Sequence, residues 1–468
     1  MSTLFRGRRS RCAGPSSFST NVLDASGRAL RAAPLGGGAG RDASDPRSRR
    51  ASTILGRPAT HFRCIRSTTG GNMSAVNGHG GGGRTARGAD SIGPAPMAWV
   101  RYSPGGTAAI TDTEVETWAP RCRVAIFDAW ESAAAERLKL ISPAVTVLCR
   151  KDLATVDEAE PGPVYSSGVS PEQVRRNESW FAVDRAGDRV GWGDPPGRWQ
   201  MRAWDPAYRD AWVSAVTAEL EGSPFDGVLT VGDIEETPRL DLPLPDLGST
   251  TQQREANDDL IAEAGGALRD IGKILVASVG DARRSPRRWA KLSAWGGVLE
   301  PAWLSTVGGR ILDPGTARQQ TERLSLAGPD AVPADPLVVV RTPVQADAPD
   351  ADDLTGAGES MVRYGLAAYW VFGGGRGVYG ASSPDGSRSH WIPEMAWDLG
   401  EPIQEPECVV NLWTRTFTKG RAVVNLASDG RRRRHVTLPS GYVLPDGSEP
   451  PTQMVLGAHE GLVLRRDF

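Results

Sequence analysis

The sequence predicts an α/β fold, a (β/α)8 TIM barrel followed by a small antiparallel β-domain. Three observations predict it. Short apolar runs alternate with stretches of helical spacing from Val124 to Phe372, the signature of parallel strands joined by crossover helices. Eight such runs fall within about the ~250 residues that a barrel of this kind occupies. Beyond Pro402 the pattern changes to strand-like runs broken by Gly turns, as antiparallel hairpins read.

In chain order, the expected barrel strands are Val124–Phe127, Val145–Leu148, Trp180–Val183, Gly227–Val231, Lys273–Val279, Gly297–Leu299, Leu337–Arg341 and Leu366–Val371. Each is dominated by apolar or β-branched residues and can be buried on both faces. Tyr208–Glu221 is expected to be a helix, because Ala211, Trp212, Ala215, Val216, Ala218 and Leu220 form an apolar stripe. Pro206 suits its first turn and Asp205 its cap. Gln252–Ile271, where Ala and Leu alternate with charged residues, is the second clear helix. A doubly wound open sheet would place a glycine-rich phosphate loop after its first strand. Val124–Phe127 instead runs into Asp128-Ala129-Trp130-Glu131. The Gly373–Gly377 run lacks a nucleotide-binding spacing and is expected to be a loop. In the β-domain, Cys408–Phe417, Arg421–Leu426, His435–Leu438 and Leu462–Arg465 are expected strands. The basic run Arg431–Arg434 is expected to be a solvated loop between them.

The 468 residues carry 54 Lys and Arg against 56 Asp and Glu, a near balance that hides a split. Residues 1–100 hold 15 Arg, no Lys and 4 Asp, leaving 39 basic against 52 acidic residues beyond them. All 15 Trp lie between Trp99 and Trp413, and large aromatic side chains mark packed cores or binding faces. Residues 1–96, rich in Gly, Ser and Arg, are therefore expected to be a disordered extension, or sequence upstream of a start at Met73 or Met97. Residues 97–400 form the expected barrel and 401–468 the β-domain. No helix period organises the arginines of the extension, so nucleic acid is not an expected partner. No stretch approaches the ~20 apolar residues of a membrane span. No signal-peptide pattern follows Arg8-Arg9, so the default expectation is the cytoplasm. Five Cys and five His show no ligand spacing, so no metal or other cofactor is expected. Cys122 and Cys149 are expected to be buried free thiols.

In a barrel, catalytic groups project from the C-terminal ends of the strands. The expected ends carry Asp128, Trp130 and Glu131, then Arg150, Lys151 and Asp152, then Asp184, with Trp192, Trp199, Trp204 and Asp205 after it. Later ends carry Asp233, Glu235 and Glu236, Asp281, Glu300 and Trp303, Arg341, and Trp370. None has a His, so Ser-His-Asp chemistry lacks its base. Carboxylates and tryptophans remain, and they have a joint use. Glycosidic cleavage needs one carboxylic acid to protonate the leaving oxygen and one carboxylate across the sugar, while indole faces stack on sugar C–H faces. Acidic residues at strand ends also cap helices, and Trp also fills cores, so the constellation counts for more than any member of it.

The strings Ile126–Glu131, Ser142–Leu153, Gly168-Val169-Ser170, Glu178–Phe181 with Asp184 and Gly187, Trp204–Tyr208 with Trp212, Phe225–Val228 and Gly297–Glu300 together resemble glycosyl hydrolase-like family 15. The resemblance covers about Val124 to Phe372 and implies a TIM barrel related to α-galactosidase-type enzymes. It implies a carboxylate at the end of the fourth strand and another at the end of the sixth. Glu300 matches the sixth. The fourth-strand pattern of Asp-Gly-Val, two apolar residues and Asp puts Val231 at the carboxylate position, with Asp233 two residues later. Asp226 starts that strand and is structural.

The expected function is hydrolysis of O-glycosidic bonds in a poly- or oligosaccharide, with Glu300 as general acid/base and Asp233 as nucleophile or base. Glu235 and Glu236 are substitutes for Asp233. Trp130, Lys151, Asp205 and Trp303 are the expected sugar-binding residues. The alternative, motivated by Val231, is a carbohydrate-binding barrel without turnover.

Overall fold

A computed structural model describes residues 96–102, 109–192, 197–233, 249–280, 286–306, 310–325, 336–345, 354, 356–428 and 433–467. The expected extension, up to residue 95, lies outside the described residues, as do Glu235, Glu236, Asp281, Arg431 and Arg432. Eight parallel strands form one sheet: β1 (Ala98–Arg101), β2 (Val124–Asp128), β3 (Thr146–Asp152), β6 (Gly227–Val231), β7 (Ile274–Ser278), β8 (Gly296–Glu300), β9 (Leu337–Pro343) and β10 (Val378–Ser382). A parallel bridge between Met97 and Tyr379, with the Tyr379 N–H donating to the Pro96 carbonyl at 2.9 Å, brings β1 to β10 and closes the barrel.

One side chain from each strand fills the axis: Val100, Ile126, Leu148, Leu229, Val276, Leu299, Val339 and Val378 form a single buried cluster. The alternate residues, such as Phe127, Cys149, Val228, Ala277, Val298 and Tyr379, face the helices in a second, larger cluster. This two-sided burial is why the central strands read as unbroken apolar runs. The helices that cover them are α1 (Asp112–Trp118), α2 (Ser132–Ile141), α4 (Pro206–Leu220), α5 (Thr250–Asp270), α6 (Pro286–Ser293), α7 (Pro314–Ser325) and α8 (Ala357–Gly373). α1 opens on a capping box between Thr111 and Glu114, and the Asp205 carboxylate accepts from the Ala207 N–H at 2.9 Å to cap α4. Among the described residues no helix is long and apolar enough to cross a membrane.

Two expected strands are corrected. Trp180–Val183 lies in the excursion between β3 and β6, which also holds α3 (Pro171–Arg176) and the paired strands β4 (Thr155–Asp157) and β5 (Arg198–Gln200). Trp180 ends a 3-10 turn, and Phe181 and Val183 make only isolated antiparallel bridges. Leu366–Val371 belongs to α8. That helix is apolar nearly all round because it is covered on both sides, and such a helix resembles a buried strand in a short window. The barrel strands missed are β1 and β10. The number eight survives because two errors are matched by two omissions.

The C-terminal part forms a five-stranded sheet in the order β11 (Glu407–Val409), β12 (Leu412–Thr416), β13 (Gly420–Asn425), β17 (Glu460–Arg466) and β15 (Tyr442–Val443). A separate pair joins β14 (Arg434–Thr437) to β16 (Gln453–Leu456), so Arg434 starts a strand rather than lying in the expected loop. The sheet packs on the outside of α8. A Cβ on Gly461 would sit 2.6 Å from the Ala367 Cβ and 2.7 Å from the Arg363 carbonyl, so only glycine lets β17 lie this close to the helix. Arg415 donates to the Val371 carbonyl at 3.1 Å near the C-terminal end of α8, and Trp370 meets Phe417 edge-on at 5.5 Å.

Candidate functional site

The inward-facing series on several strands ends in polar groups at the C-terminal mouth of the barrel, while those of β6 and β8 end in Val231 and Pro301. Beyond Leu148, β3 presents Arg150 and then Asp152, and beyond Val339, β9 presents Arg341. They line a cavity of about 220 Å³ with Tyr102, Trp192, Arg198, Val231, Gly232, Ser278, Leu299, Pro301 and Asp385. This is the end at which barrel enzymes work.

The charges in the mouth are organised in pairs. Arg150 donates to Asp128 Oδ1 from Nε at 3.0 Å and from Nη2 at 2.9 Å, and its guanidinium lies 4.6 Å from the Tyr102 ring centre. Burial opposes the Arg150 charge, but Asp128, Tyr102 and Asp152 together outweigh it and hold the group above its ordinary value. Asp152 accepts from the backbone N–H groups of Ala154 at 3.0 Å and Thr155 at 2.9 Å through Oδ1, and from Arg198 at 2.5 Å through Oδ2. Arg198, delivered by β5, also lies 4.8 Å from the Trp192 ring centre. Arg341 donates to Ser382 Oγ at 2.6 Å and to the carbonyls of Ser383 and Pro384 at 2.5 and 2.7 Å.

The six site residues expected from the sequence are dispersed, and none lines this cavity. Glu300 ends β8 with its flanking residues Leu299 and Pro301 on the cavity wall, but it follows the alternate face shared with Val298. It is buried, and Oε1 accepts from the Ala302 N–H at 3.1 Å. Asp233 is 1% exposed and turns toward α5 and α6. Arg288 grips it at both oxygens, Nη1 to Oδ2 at 2.6 Å and Nη2 to Oδ1 at 2.8 Å, and reaches Asp258 from Nε at 2.7 Å. Burial opposes the Arg288 charge, and the two carboxylates overcome that opposition and raise its pKa. Lys151 is fully buried against α4, donating to Glu219 at 2.7 Å and the Tyr165 carbonyl at 2.6 Å. Burial holds Glu219 above the usual carboxylate range despite that partner. Asp205 caps α4. Trp303 is core, its indole N–H donating to the Gly365 carbonyl at 3.0 Å. Trp130 is half-buried in the turn after β2.

The residues that do line the mouth carried a signal in the sequence. Alternation along β3 from the axial Leu148 selects Arg150 and Asp152 and excludes Lys151. Trp192 is among the tryptophans that follow the expected third strand, whereas Arg198 has no local signal, because it arrives on the excursion. Among the described residues, no group of three or more His, Cys, Asp and Glu could hold a metal ion. Cys122 and Cys149 are buried free thiols, each pushed up to about 12 by burial.

The model of a family described as hypothetical glycosyl hydrolase family 15 matches residues 139–421. No curated protein matches the chain in sequence. Similar solved structures include Aspergillus fumigatus Ega3 in complex with galactosamine, at 10% identity and TM-score 0.39, covering 66% of this chain and 98% of that one. An α-amylase from Lactobacillus plantarum is similar at 9% identity and TM-score 0.44, covering 80% and 99%. A Geobacillus stearothermophilus α-galactosidase is similar at 9% identity and TM-score 0.40, covering 80% and 55%.

Proposed function

The chain belongs to hypothetical glycosyl hydrolase family 15, and from that premise we propose that it hydrolyses O-glycosidic bonds of a poly- or oligosaccharide held in the barrel mouth. The observation that carries this reading is the cavity of about 220 Å³ at the C-terminal strand ends, where carboxylate, guanidinium and indole groups converge. Such groups bind sugar hydroxyls and sugar faces. Glu300, at the end of the sixth barrel strand, is the proton donor in this reading, a role that requires its side chain to turn into the mouth from the face it shares with Val298. Asp233 is the opposing carboxylate that the sequence offers. That role requires its pairing with Arg288 to open, which makes Asp233 the deciding residue of the pair.

The test is turnover and binding on a panel of α- and β-linked oligosaccharides. Glu300→Gln is expected to abolish hydrolysis and leave sugar binding in place, and unchanged turnover would remove Glu300 from the mechanism. Asp233→Asn turning over like the wild type would remove Asp233. A second reading, sugar binding without hydrolysis, is favoured by Val231, an apolar side chain on the cavity wall at the position where the family pattern has a carboxylate. Binding without turnover across the panel would select it.

A further inference from the structure

We infer that Asp152, on the third barrel strand, is the carboxylate that faces the bound sugar, in the place that Val231 leaves empty of charge on the fourth. This rests on the reading of the mouth as a saccharide site. Asp152 and Val231 are register partners on adjacent strands, β3 and β6, and both line the cavity. Exchanging the carboxylate from one to the other moves it by one strand spacing, ~4.8 Å.

The surroundings of Asp152 are built for a carboxylate. Its Oδ1 accepts two backbone N–H groups and its Oδ2 accepts Arg198, so its orientation is held from both sides. The backbone of the next strand makes room for it. Gly232 has a φ of +80°, and a Cβ there would lie 2.3 Å from Asp152 Oδ1. Only glycine combines that conformation with that clearance. Trp192, against which Arg198 rests, supplies an aromatic wall to the same cavity. Both carboxylates have their oxygens hydrogen-bonded and are nearly buried, but Asp152 lines the cavity whereas Asp233 does not and is held toward α6 by Arg288.

The chemistry assigned to Asp152 is displacement at the anomeric carbon. Its carboxylate adds to that carbon as the glycosidic C–O bond breaks. The bonding pair leaves with the departing oxygen, which takes a proton from the acid. Water then adds to the same carbon, returns a proton to the acid's conjugate base and releases Asp152 as carboxylate.

The experiment compares the full chain with Asp152→Asn, Asp152→Ala and Asp233→Ala on the same oligosaccharide panel, measuring turnover, binding and thermal unfolding. Asp152→Asn keeps an acceptor for the two backbone N–H groups. It is expected to lower turnover by on the order of 10³-fold while binding persists. Molar azide is expected to restore consumption of substrate by Asp152→Ala, with a glycosyl azide as product, a result that a merely structural aspartate cannot yield. Asp152→Glu, which keeps the charge and moves it by one methylene, covers the case in which the neutral variants do not fold, and a large loss of turnover is expected there too. Azide rescue of Asp233→Ala instead of Asp152→Ala overturns the inference and leaves the hydrolase reading intact. If the wild type binds sugars but hydrolyses none, the hydrolase reading fails, and the inference is read from affinity. A tenfold or greater weakening in Asp152→Asn supports contact with the sugar, and unchanged affinity overturns it. If the wild type neither binds nor cleaves any member of the panel, both fall.

Discussion

The third and fourth barrel strands end side by side, and each ends near an aspartate paired with an arginine. Asp152 lines the cavity with a side chain only 4% exposed, and its partner Arg198 has a side chain 38% exposed. Asp233 faces the helices, and its partner Arg288 has a side chain 4% exposed and bridges on to Asp258. The same pair of residue types thus does two kinds of work. At the mouth it leaves the Arg198 guanidinium partly exposed beside the cavity. Behind the fourth strand it ties the end of β6 to α5 and α6. An acidic residue at a strand end is therefore weak evidence of catalysis until its direction is known.

The contrast can be broken most directly at the two arginines. Arg288→Met leaves Asp233 and Asp258 buried without the guanidinium between them and is expected to cost about 3–5 kcal/mol, measured by urea unfolding. A loss below ~1 kcal/mol would mean that the network is not an anchor. A second ionisable group near the rim tests whether burial there is as complete. His390 is pushed down to about 4, first by burial and then by the charge of Arg388, with the Arg341 charge acting in the same direction. An unfolded histidine takes up its proton near 6.5, so between that pH and about 4 the unfolded chain binds a proton that the folded chain does not. Stability should fall by on the order of 2–3 kcal/mol as pH drops through this window. His390→Gln should flatten that slope, and an unaltered slope would assign it to other groups.

Gly232→Ala is the next smaller effect. The positive φ and the contact with Asp152 should together cost about 1–3 kcal/mol, and displacement of the carboxylate should weaken sugar binding along with it. Normal stability and binding would show that the strand ends move apart freely. Arg198→Met should cost about 1 kcal/mol in unfolding, less than Arg288→Met, because that guanidinium is partly solvated and the buried Asp152 keeps two backbone N–H donors. Its effect should appear in affinity for the sugar. A stability loss matching that of Arg288→Met would erase the distinction between the two strand ends.

The central barrel strands were legible because burial on both faces makes their sequences continuously apolar. The end strands were not. Ala98–Arg101 has too few residues to show a pattern, and Val378–Ser382 is mostly small residues, while the true apolar run nearby, Leu366–Val371, is helix. Nearness to a strand end does not fix the direction of a side chain. Lys151 sits one residue from both Arg150 and Asp152 and faces the opposite layer. Trp303, three residues beyond Glu300, fills the core beside α8. The departure at Val231 was legible, and it remains the most informative single position, because it says where a carboxylate is missing and so where to look for another. Arg198 depended on the pairing of β4 with β5, which no local pattern announces.

α8 covers the barrel on one side and carries the antiparallel sheet on the other, with Gly461 setting the contact. The ribosome delivers this helix before any strand of the sheet that covers it, so the nascent barrel carries an uncapped apolar helix until β13 and β17 have been made. Those two strands are neighbours in the sheet although β14, β15 and β16 separate them in the chain. Shelter for the helix therefore arrives late and from two separate pieces. Cells short of chaperones should lose this protein to aggregation during synthesis more readily than its finished fold would suggest.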